Sequence, residues 1–154
     1  METLEGILLD HPLFAGLPAP FATLIVDCAH EVTFKQGEFL FREGAPANDF
    51  FLVREGRVAL EMHAPGRDPL RLMTVHSGQL AGLSWLVPPY RWAFDAAAME
   101  PVRAIAVNAM CLRGKLEEDH HLGYELMKRF VPVLLERMQA ARLQMMDVYG
   151  KPTR

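Results

Sequence analysis

The densest group of residues that could ligate a metal is the run from Glu117 to His121, Glu-Glu-Asp-His-His. Carboxylates and imidazoles are ordinary ligands of zinc and related metals. However, the run falls where a helix is expected, and consecutive helical side chains point about 100° apart, so they cannot all face one ion. The remaining candidates, His11, His30, His63 and His76, have no metal-binding spacing. We therefore predict no metal site.

Nucleophilic catalysis has no support in the sequence either. Ser84 stands in Leu83-Ser84-Trp85, which is not a nucleophile elbow, and no base is placed beside it. Cys28 and Cys111 are too few and too far apart to predict a disulfide framework or a cysteine-rich zinc site, so we expect buried free thiols. The protein is therefore not expected to be an enzyme.

Composition indicates one ordinary folded domain, residues 1-154. The chain is 51% hydrophobic and 23% charged and is long enough to bury a proper core. A net charge of −3, without clustered Lys and Arg, gives no attraction to phosphate backbones. The N-terminus does not resemble a signal peptide, and no apolar run approaches the roughly 20 residues of a membrane span. We expect a cytoplasmic protein without direct contact to nucleic acid or membrane.

Short strands separated by glycine turns fill the middle of the chain. From Phe34 to Leu60, aromatic, leucine and β-branched residues alternate with turn-forming glycines. Leu70 to Val75 should pair with Arg57 to His63, and further strands continue to about residue 108. The pattern predicts a mixed α+β, mainly β fold: an eight-stranded antiparallel, jelly-roll-like β-roll over residues 31-108.

Helices are expected on both sides of the strands. Apolar spacing and proline positions predict them at residues 3–9, 18–30, 110–118 and 122–149. Pro132 should kink the last helix near its first third. The domain is thus divided into helices at 3-30, the β-roll, and C-terminal helices at 110-149.

The glycine and hydrophobic framework resembles the cyclic nucleotide-binding domain. The matching residues are Gly37, Glu38, Leu40, Phe41, Gly44, Ala47, Phe50 to Val53, Gly56, Val58 and Leu60, preceded by His11 to Leu17. This family is the sensor module of Crp/Fnr-type bacterial regulators and of cyclic-nucleotide-gated kinases and channels. A Crp/Fnr-type regulator would continue into a helix-turn-helix of roughly 70 residues. This chain ends five residues after Tyr149, so we expect a stand-alone sensor.

The resemblance implies a ligand site between Gly78 and Asp95. In the family, a Gly-Glu pair and an Arg followed by Ser or Thr and then Ala hold the cyclic nucleotide. The ligand-binding positions implied here are Gly82, Leu83, Ser84, Arg91, Trp92 and Ala93. Arg91 would pair its planar guanidinium with a phosphate, helped by backbone amides of a short helix after Gly82. The implied effector is cAMP or cGMP, with no cofactor required.

Two ligand contacts of the family are missing. Leu83 replaces the ribose-binding glutamate, and Trp92 replaces the small hydroxyl residue. Their loss would weaken ordinary cyclic AMP binding by roughly 10²- to 10³-fold. We infer a divergent pocket, suited to a different anion or to an aromatic or apolar effector.

The alternative is that the pocket is closed. Trp85, Tyr90 and Trp92 would then fill the old cavity, and Arg91 would pair with an acidic neighbour such as Asp95. The sequence places the arginine in the segment but does not decide whether the pocket is open.

The last helix predicts a homodimer. Residues at alternating spacings of four and three form the a/d repeat of a helix pair: Met127, Val131, Leu134, Met138, Ala141, Met145 and Val148. A second stripe, Leu126, Phe130, Val133 and Arg137, faces another direction and could lie on the barrel. The alternative is a helix packed only on its own barrel, because the repeat spans only three heptads. In the resembled family this helix both dimerises and closes over the ligand.

These observations favour a regulatory sensor domain that binds a small effector and transmits the signal through the C-terminal helix. The rival is a ligand-free dimerisation or protein-docking module with a degenerate pocket. An exposed apolar patch between Trp85 and Trp92 would favour the rival.

Overall fold

The centre of the protein is an antiparallel β-roll. The computed structural model describes residues 3–150, without the side chains of residues 144, 145 and 147–150. The strands in this range are β1 (Ala29–Phe34), β2 (Phe39–Phe41), β3 (Asp49–Glu55), β4 (Val58–Met62), β5 (Leu70–Val75), β6 (Leu80–Ala81), β7 (Asp95–Ala98) and β8 (Val102–Asn108). Within it they form two four-stranded sheets, ordered β1-β8-β3-β6 and β2-β7-β4-β5. The predicted fold class and strand number are confirmed.

β4 pairs antiparallel with β5 on one side and with β7 on the other. The predicted pairing of Leu70 to Val75 with Arg57 to His63 is therefore confirmed. Gly56, in the turn before β4, has φ of 90°, and a Cβ there would lie 2.4 Å from the carbonyl oxygen of Pro101. Only glycine fits this close approach.

The helices pack on the roll and share its hydrophobic cluster. They are α1 (Leu4–Asp10), α2 (Ala19–Val26), α3 (Ala109–Glu118) and α4 (His120–Gly150), with a 3-10 turn at Pro12–Phe14. The largest fully buried side chains come from strands, helices and the loop before β7: Leu8, Phe14, Ile25, Phe50, Leu52, Leu60, Leu80, Trp85, Ile105, Leu112, Leu122 and Phe130. Burial of one stripe of each helix in this shared cluster holds the helices in place.

The structure differs from the prediction at the end of α2. α2 ends at Val26 rather than near His30, because His30 pairs with Ala106 in the sheet and strand pairing overrides the helical spacing. Pro132 lies inside α4, and the kink expected there stays a prediction. Within residues 3–150, no helix is both long enough and apolar enough to cross a membrane.

Cys28 and Cys111 form a disulfide, so the prediction of free thiols was wrong. The two Cα atoms lie 5.7 Å apart although 83 residues separate them in sequence. Asn108 brings them together: its backbone N–H donates to the Cys28 carbonyl at 2.8 Å, and its side chain caps α3 by accepting from the Cys111 N–H at 2.8 Å. Disulfides persist mainly in oxidising compartments. The disulfide therefore gives no support to the predicted cytoplasmic location, which stays a prediction.

His11 is a buried histidine just after α1. Its Nε2 lies 3.2 Å from the Val53 carbonyl oxygen, and its Nδ1 accepts from the Leu13 N–H at 3.3 Å. Nε2 therefore carries the proton of a neutral ring. Burial lowers the pKa of His11; the Val53 hydrogen bond opposes this effect, and the charge of Arg54 adds to it. His11 thus joins α1 to β3 in its uncharged form.

Candidate effector-binding site

The predicted ligand segment leaves β6 at Gly82 as a series of turns. Leu86 donates its N–H to the Leu83 carbonyl at 3.2 Å, which closes one turn. The short helix expected after Gly82 does not form. Pro88 and Pro89 follow directly, and neither has the N–H that would continue a helical ladder. The amides of a helix N-terminus are therefore not the anion-binding groups of this segment.

Trp92 packs into the place of the small hydroxyl residue. Its side chain is 4% exposed, and its ring stacks on Phe41 with centroids 3.8 Å apart. Gly82 lies directly against this ring: its φ is +97°, and a Cβ there would lie 2.6 Å from two atoms of the indole. Trp92 in this position thus requires glycine at residue 82, and the indole occupies the space that a small residue would leave open.

Arg91 is exposed at the surface rather than paired with Asp95. Its Nη1 donates to the Gly44 carbonyl at 2.7 Å, against the turn between β2 and β3. Asp95 is instead held by Arg42, at 3.3 Å, and by His63, at 3.1 Å. The alternative that Arg91 neutralises Asp95 was therefore wrong.

Trp85 links the loop to the core and to α4. Its ring stacks on Phe50 of β3 at 4.5 Å and meets Phe130 of α4 edge-on at 5.8 Å. Arg113 donates to the Trp85 carbonyl at 2.5 Å and lies over the ring of Tyr90. Trp85 is fully buried, whereas Tyr90 is 36% exposed. Of the three aromatic residues expected to fill the pocket, Trp85 and Trp92 are therefore interior and Tyr90 lies at the surface.

A cavity of about 370 Å³ separates this loop from α4. Its lining comes from the loop, from the residue just before β7 and from the helix: Leu83, Ser84, Leu86, Val87, Phe94, Met127, Phe130, Val131, Leu134 and Arg137. We call it the α4 cavity. Its volume lies within the roughly 300–1,000 Å³ typical of small-molecule sites. Its walls are almost wholly apolar.

The six predicted site residues are divided between different environments. Leu83 and Ser84 line the α4 cavity. Gly82 and Trp92 pack against each other, and Arg91 and Ala93, on either side of Trp92 in sequence, are exposed. The structure does not bring the six residues together around one cavity, and the ligand-binding role of this segment stays a prediction.

Arg137 of α4 is the charged residue of the α4 cavity, and the sequence did not place it in the site. It donates a hydrogen bond to the carbonyl of Leu80 in β6. Burial lowers its pKa to about 10, an effect that the charge of Glu136 partly offsets. The side chain remains charged at neutral pH. The signal available in the sequence was an arginine at the end of the stripe that packs on the barrel.

No three His, Cys, Asp or Glu side chains come together as a candidate metal site in the part of the chain that the structure describes. The acidic run before α4 is instead used locally. Asp119 accepts from the Leu122 N–H at 3.0 Å, at the start of α4. This contact stabilises the helix N-terminus.

Comparison with known proteins decides the family. The model of the cyclic nucleotide-binding domain matches residues 31–119, which is more than half of the chain. The chain belongs to the cyclic nucleotide-binding domain family. The resemblance seen in the glycine and hydrophobic framework is confirmed, and the β-roll is the regulatory fold of this family.

Three relatives illustrate the range of the family. A crystal structure of a protein from Geobacter metallireducens GS-15, named as a cyclic nucleotide-binding protein, has a TM-score of 0.80 and 28% identity, and the match covers 89% of this chain and 99% of that one. The CRP-like cAMP-activated global transcriptional regulator of Mycobacterium tuberculosis is 23% identical over 146 residues, covering 94% of this chain and 63% of the regulator. Human cGMP-dependent protein kinase 2 is 28% identical over 87 residues, covering 56% of this chain and 11% of the kinase. The chain thus spans less than two thirds of either curated relative.

Proposed function

We propose that this cyclic nucleotide-binding domain is a regulatory sensor whose effector occupies the α4 cavity. The observation that carries the proposal is that the cavity has one wall from the loop, including Leu83 and Leu86, and the opposite wall from α4, including Met127 and Phe130. A molecule filling the cavity contacts both elements, so its binding free energy depends on where α4 lies. Effector binding thereby changes the position of α4.

Contacts already present between the β-roll and α4 support this route. Phe130 meets Trp85 edge-on, and Trp85 stacks on Phe50 in β3. Arg137 reaches from α4 to the carbonyl of Leu80 in β6. A shift of α4 would change these contacts together. We infer that the domain acts through this movement, without catalysis and without direct nucleic-acid contact.

Cyclic AMP and cyclic GMP are the family's effectors and are the first to test, but we propose that they bind this domain weakly. The Trp92 ring would have to leave its stack on Phe41 to admit a nucleotide at the family position. Leu83 offers a ribose no hydrogen bond, and an unpaired buried hydroxyl costs about 1–3 kcal/mol. Arg91 would have to leave the Gly44 carbonyl.

The exposed face of α4 supports a homodimer. The predicted seam positions Val131, Leu134 and Met138 are 45%, 54% and 64% exposed, and Ala141 is exposed as well. Met127 is half-buried, and the side chains of the last two positions, Met145 and Val148, lie outside the described residues. A row of large apolar side chains facing water is typical of a protein interface. We propose that a second copy of α4 covers this row.

The dimer is tested by light scattering. Changing both Leu134 and Met138 to Glu should give monomers, because the charges would face each other in an apolar seam. Leu135→Glu is the matched control, since Leu135 is equally exposed on α4 but outside the repeat. A double variant that keeps the size of the wild type would overturn the proposed seam.

The effector site is tested by calorimetry with cAMP, cGMP and 1-octanol, a neutral apolar probe. Leu83→Trp fills the α4 cavity, Leu135→Trp adds the same ring outside it, and Arg91→Ala removes the family's phosphate contact. We expect octanol to bind the wild type, Leu135→Trp and Arg91→Ala, but not Leu83→Trp. Failure of all three probes to bind, or binding that only Arg91→Ala abolishes, would contradict the proposed site.

A further inference from the structure

Arg137 is an unusual component of an otherwise apolar cavity. The cavity lining includes nine other residues, and Ser84 is the polar one among them. Among the ion pairs of residues 3–150, none involves Arg137. Its guanidinium has five N–H donors, of which one is donated to the Leu80 carbonyl. A partly buried guanidinium that has no carboxylate partner within the protein can pair with the carboxylate of a ligand.

Glu136, the neighbouring acidic residue, does not supply a carboxylate to Arg137 inside the α4 cavity. Glu136 attracts Arg137 electrostatically, but it is exposed, and successive residues on a helix point about 100° apart. Both side chains line a second cavity of about 530 Å³ beside α4, whereas the α4 cavity contains Arg137 without Glu136. The charge presented to the α4 cavity is therefore positive.

We propose that the α4 cavity takes an amphipathic carboxylate: an aliphatic or aromatic body against Leu83, Leu86 and Phe130, with its carboxylate on the guanidinium of Arg137. This deepens the proposed function and rests on it. A guanidinium matches a carboxylate with two parallel hydrogen bonds, a charge-assisted pairing about twice as strong as a neutral hydrogen bond. At the ~30 Å³ that a water occupies in the liquid, the cavity has room for roughly a dozen non-hydrogen atoms.

The position of Arg137 means that a bound carboxylate would act on the contact between α4 and β6. The carboxylate would share Arg137 with the Leu80 carbonyl, which is the contact that ties α4 to β6. A sugar or nucleotide is a poorer match, because its several hydroxyl groups would face apolar walls without partners. The cavity therefore selects for one anionic end and an apolar remainder.

Calorimetry with three probes of one chain length tests the proposal: octanoate, 1-octanol and octylamine. In the wild-type protein we expect octanoate to bind at least tenfold more tightly than octanol, as a charge-assisted hydrogen bond predicts, and octylamine not to bind. Arg137→Met should weaken octanoate at least tenfold and leave octanol within about threefold. Arg137→Lys, which keeps the charge but loses the planar fork, should fall between. Arg91→Met, which removes an exposed arginine, should change nothing.

The outcomes separate the two proposals. If octanol binds as tightly as octanoate, or if Arg137→Met leaves octanoate unchanged, the carboxylate proposal is wrong while the effector site stands. If none of the three probes binds the folded wild type, both fail. Melting curves of each variant establish folding, and the wild-type comparison of octanoate with octanol decides the matter even if Arg137→Met does not fold.

Discussion

The contact between Trp92 and Gly82 yields a prediction with a defined size. Trp92→Ser restores the small hydroxyl residue of the family and removes a side chain that is 4% exposed. Truncating a buried tryptophan costs about 3–5 kcal/mol. At roughly 2–4 °C per kcal/mol for a domain of this size, the melting temperature should fall by about 6–20 °C. Tyr90→Ser is the matched control, because Tyr90 is a nearby aromatic residue at the surface, and it should cost about 1 kcal/mol.

Gly82→Ala reports on the same contact from the other side. In the wild type, the new Cβ would both adopt a positive φ and lie 2.6 Å from the Trp92 ring. The backbone conformation alone costs about 1–2 kcal/mol, and we expect at least ~1 kcal/mol more from the ring. In the Trp92→Ser background only the backbone cost remains, so the two substitutions should be coupled.

Urea denaturation of the wild type, both single variants and the double variant measures this coupling. The refuting result is additivity: Gly82→Ala costing the same with and without Trp92. A Trp92→Ser variant as stable as the wild type would equally show that the indole does not fill the family pocket.

Two other predictions concern the disulfide and His11. The double variant Cys28→Ser with Cys111→Ser should lose up to about 4.5 kcal/mol of its free energy of unfolding, because the bond closes a loop of 83 residues. Urea curves with and without reductant should differ for the wild type and coincide for the variant. Wild-type curves insensitive to reductant would contradict the disulfide. The pKa of His11 is lowered below 6.5 in the folded state, so as pH falls below 6.5 the unfolded chain binds a proton first and stability falls until the folded pKa is passed. Well above pH 6.5 the ring is neutral in both states and contributes no pH dependence. His11→Gln should flatten this acid limb while His76→Gln, at an exposed position, keeps it; equal limbs in all three proteins would argue against a buried neutral ring.

The strands were predictable because their signals are local. Glycines at turns and runs of apolar residues between them identified β3, β4 and β5, and the pairing of Leu70–Val75 with the preceding strand followed from adjacency. The end of α2 was not predictable in the same way. Apolar residues continue at helical spacing to Cys28, and only the pairing of β1 with the distant β8 ends the helix at Val26.

The disulfide shows the same limit. Nothing in the spacing of Cys28 and Cys111 indicates their contact, which depends on the pairing of β1 with β8 and on the Asn108 cap. Long-range sheet pairing brings the two cysteines together, and no local sequence pattern indicates that pairing.

The sequence indicated a candidate segment, whose ligand-binding role stays a prediction, but it did not indicate how the side chains of that segment are arranged. The family pattern identified the loop that contains Leu83 and Arg91, yet the direction of Arg91 is set by a carbonyl 47 residues away, that of Gly44. Arg137 lies on the stripe expected to face the barrel, but its place in the cavity depends on the loop opposite. Side-chain direction in a loop and the shape of a cavity are tertiary properties.

Hydrogen exchange along α4 shows whether an effector in the α4 cavity acts on this helix. With octanoate at saturation, we expect slower amide exchange over residues 127–137 and no change at Arg91 to Ala93, while cAMP at the same concentration changes neither. The contrary result is protection by cAMP at Arg91 to Ala93 together with unchanged exchange in α4 under octanoate, which would return the ligand site to the family position.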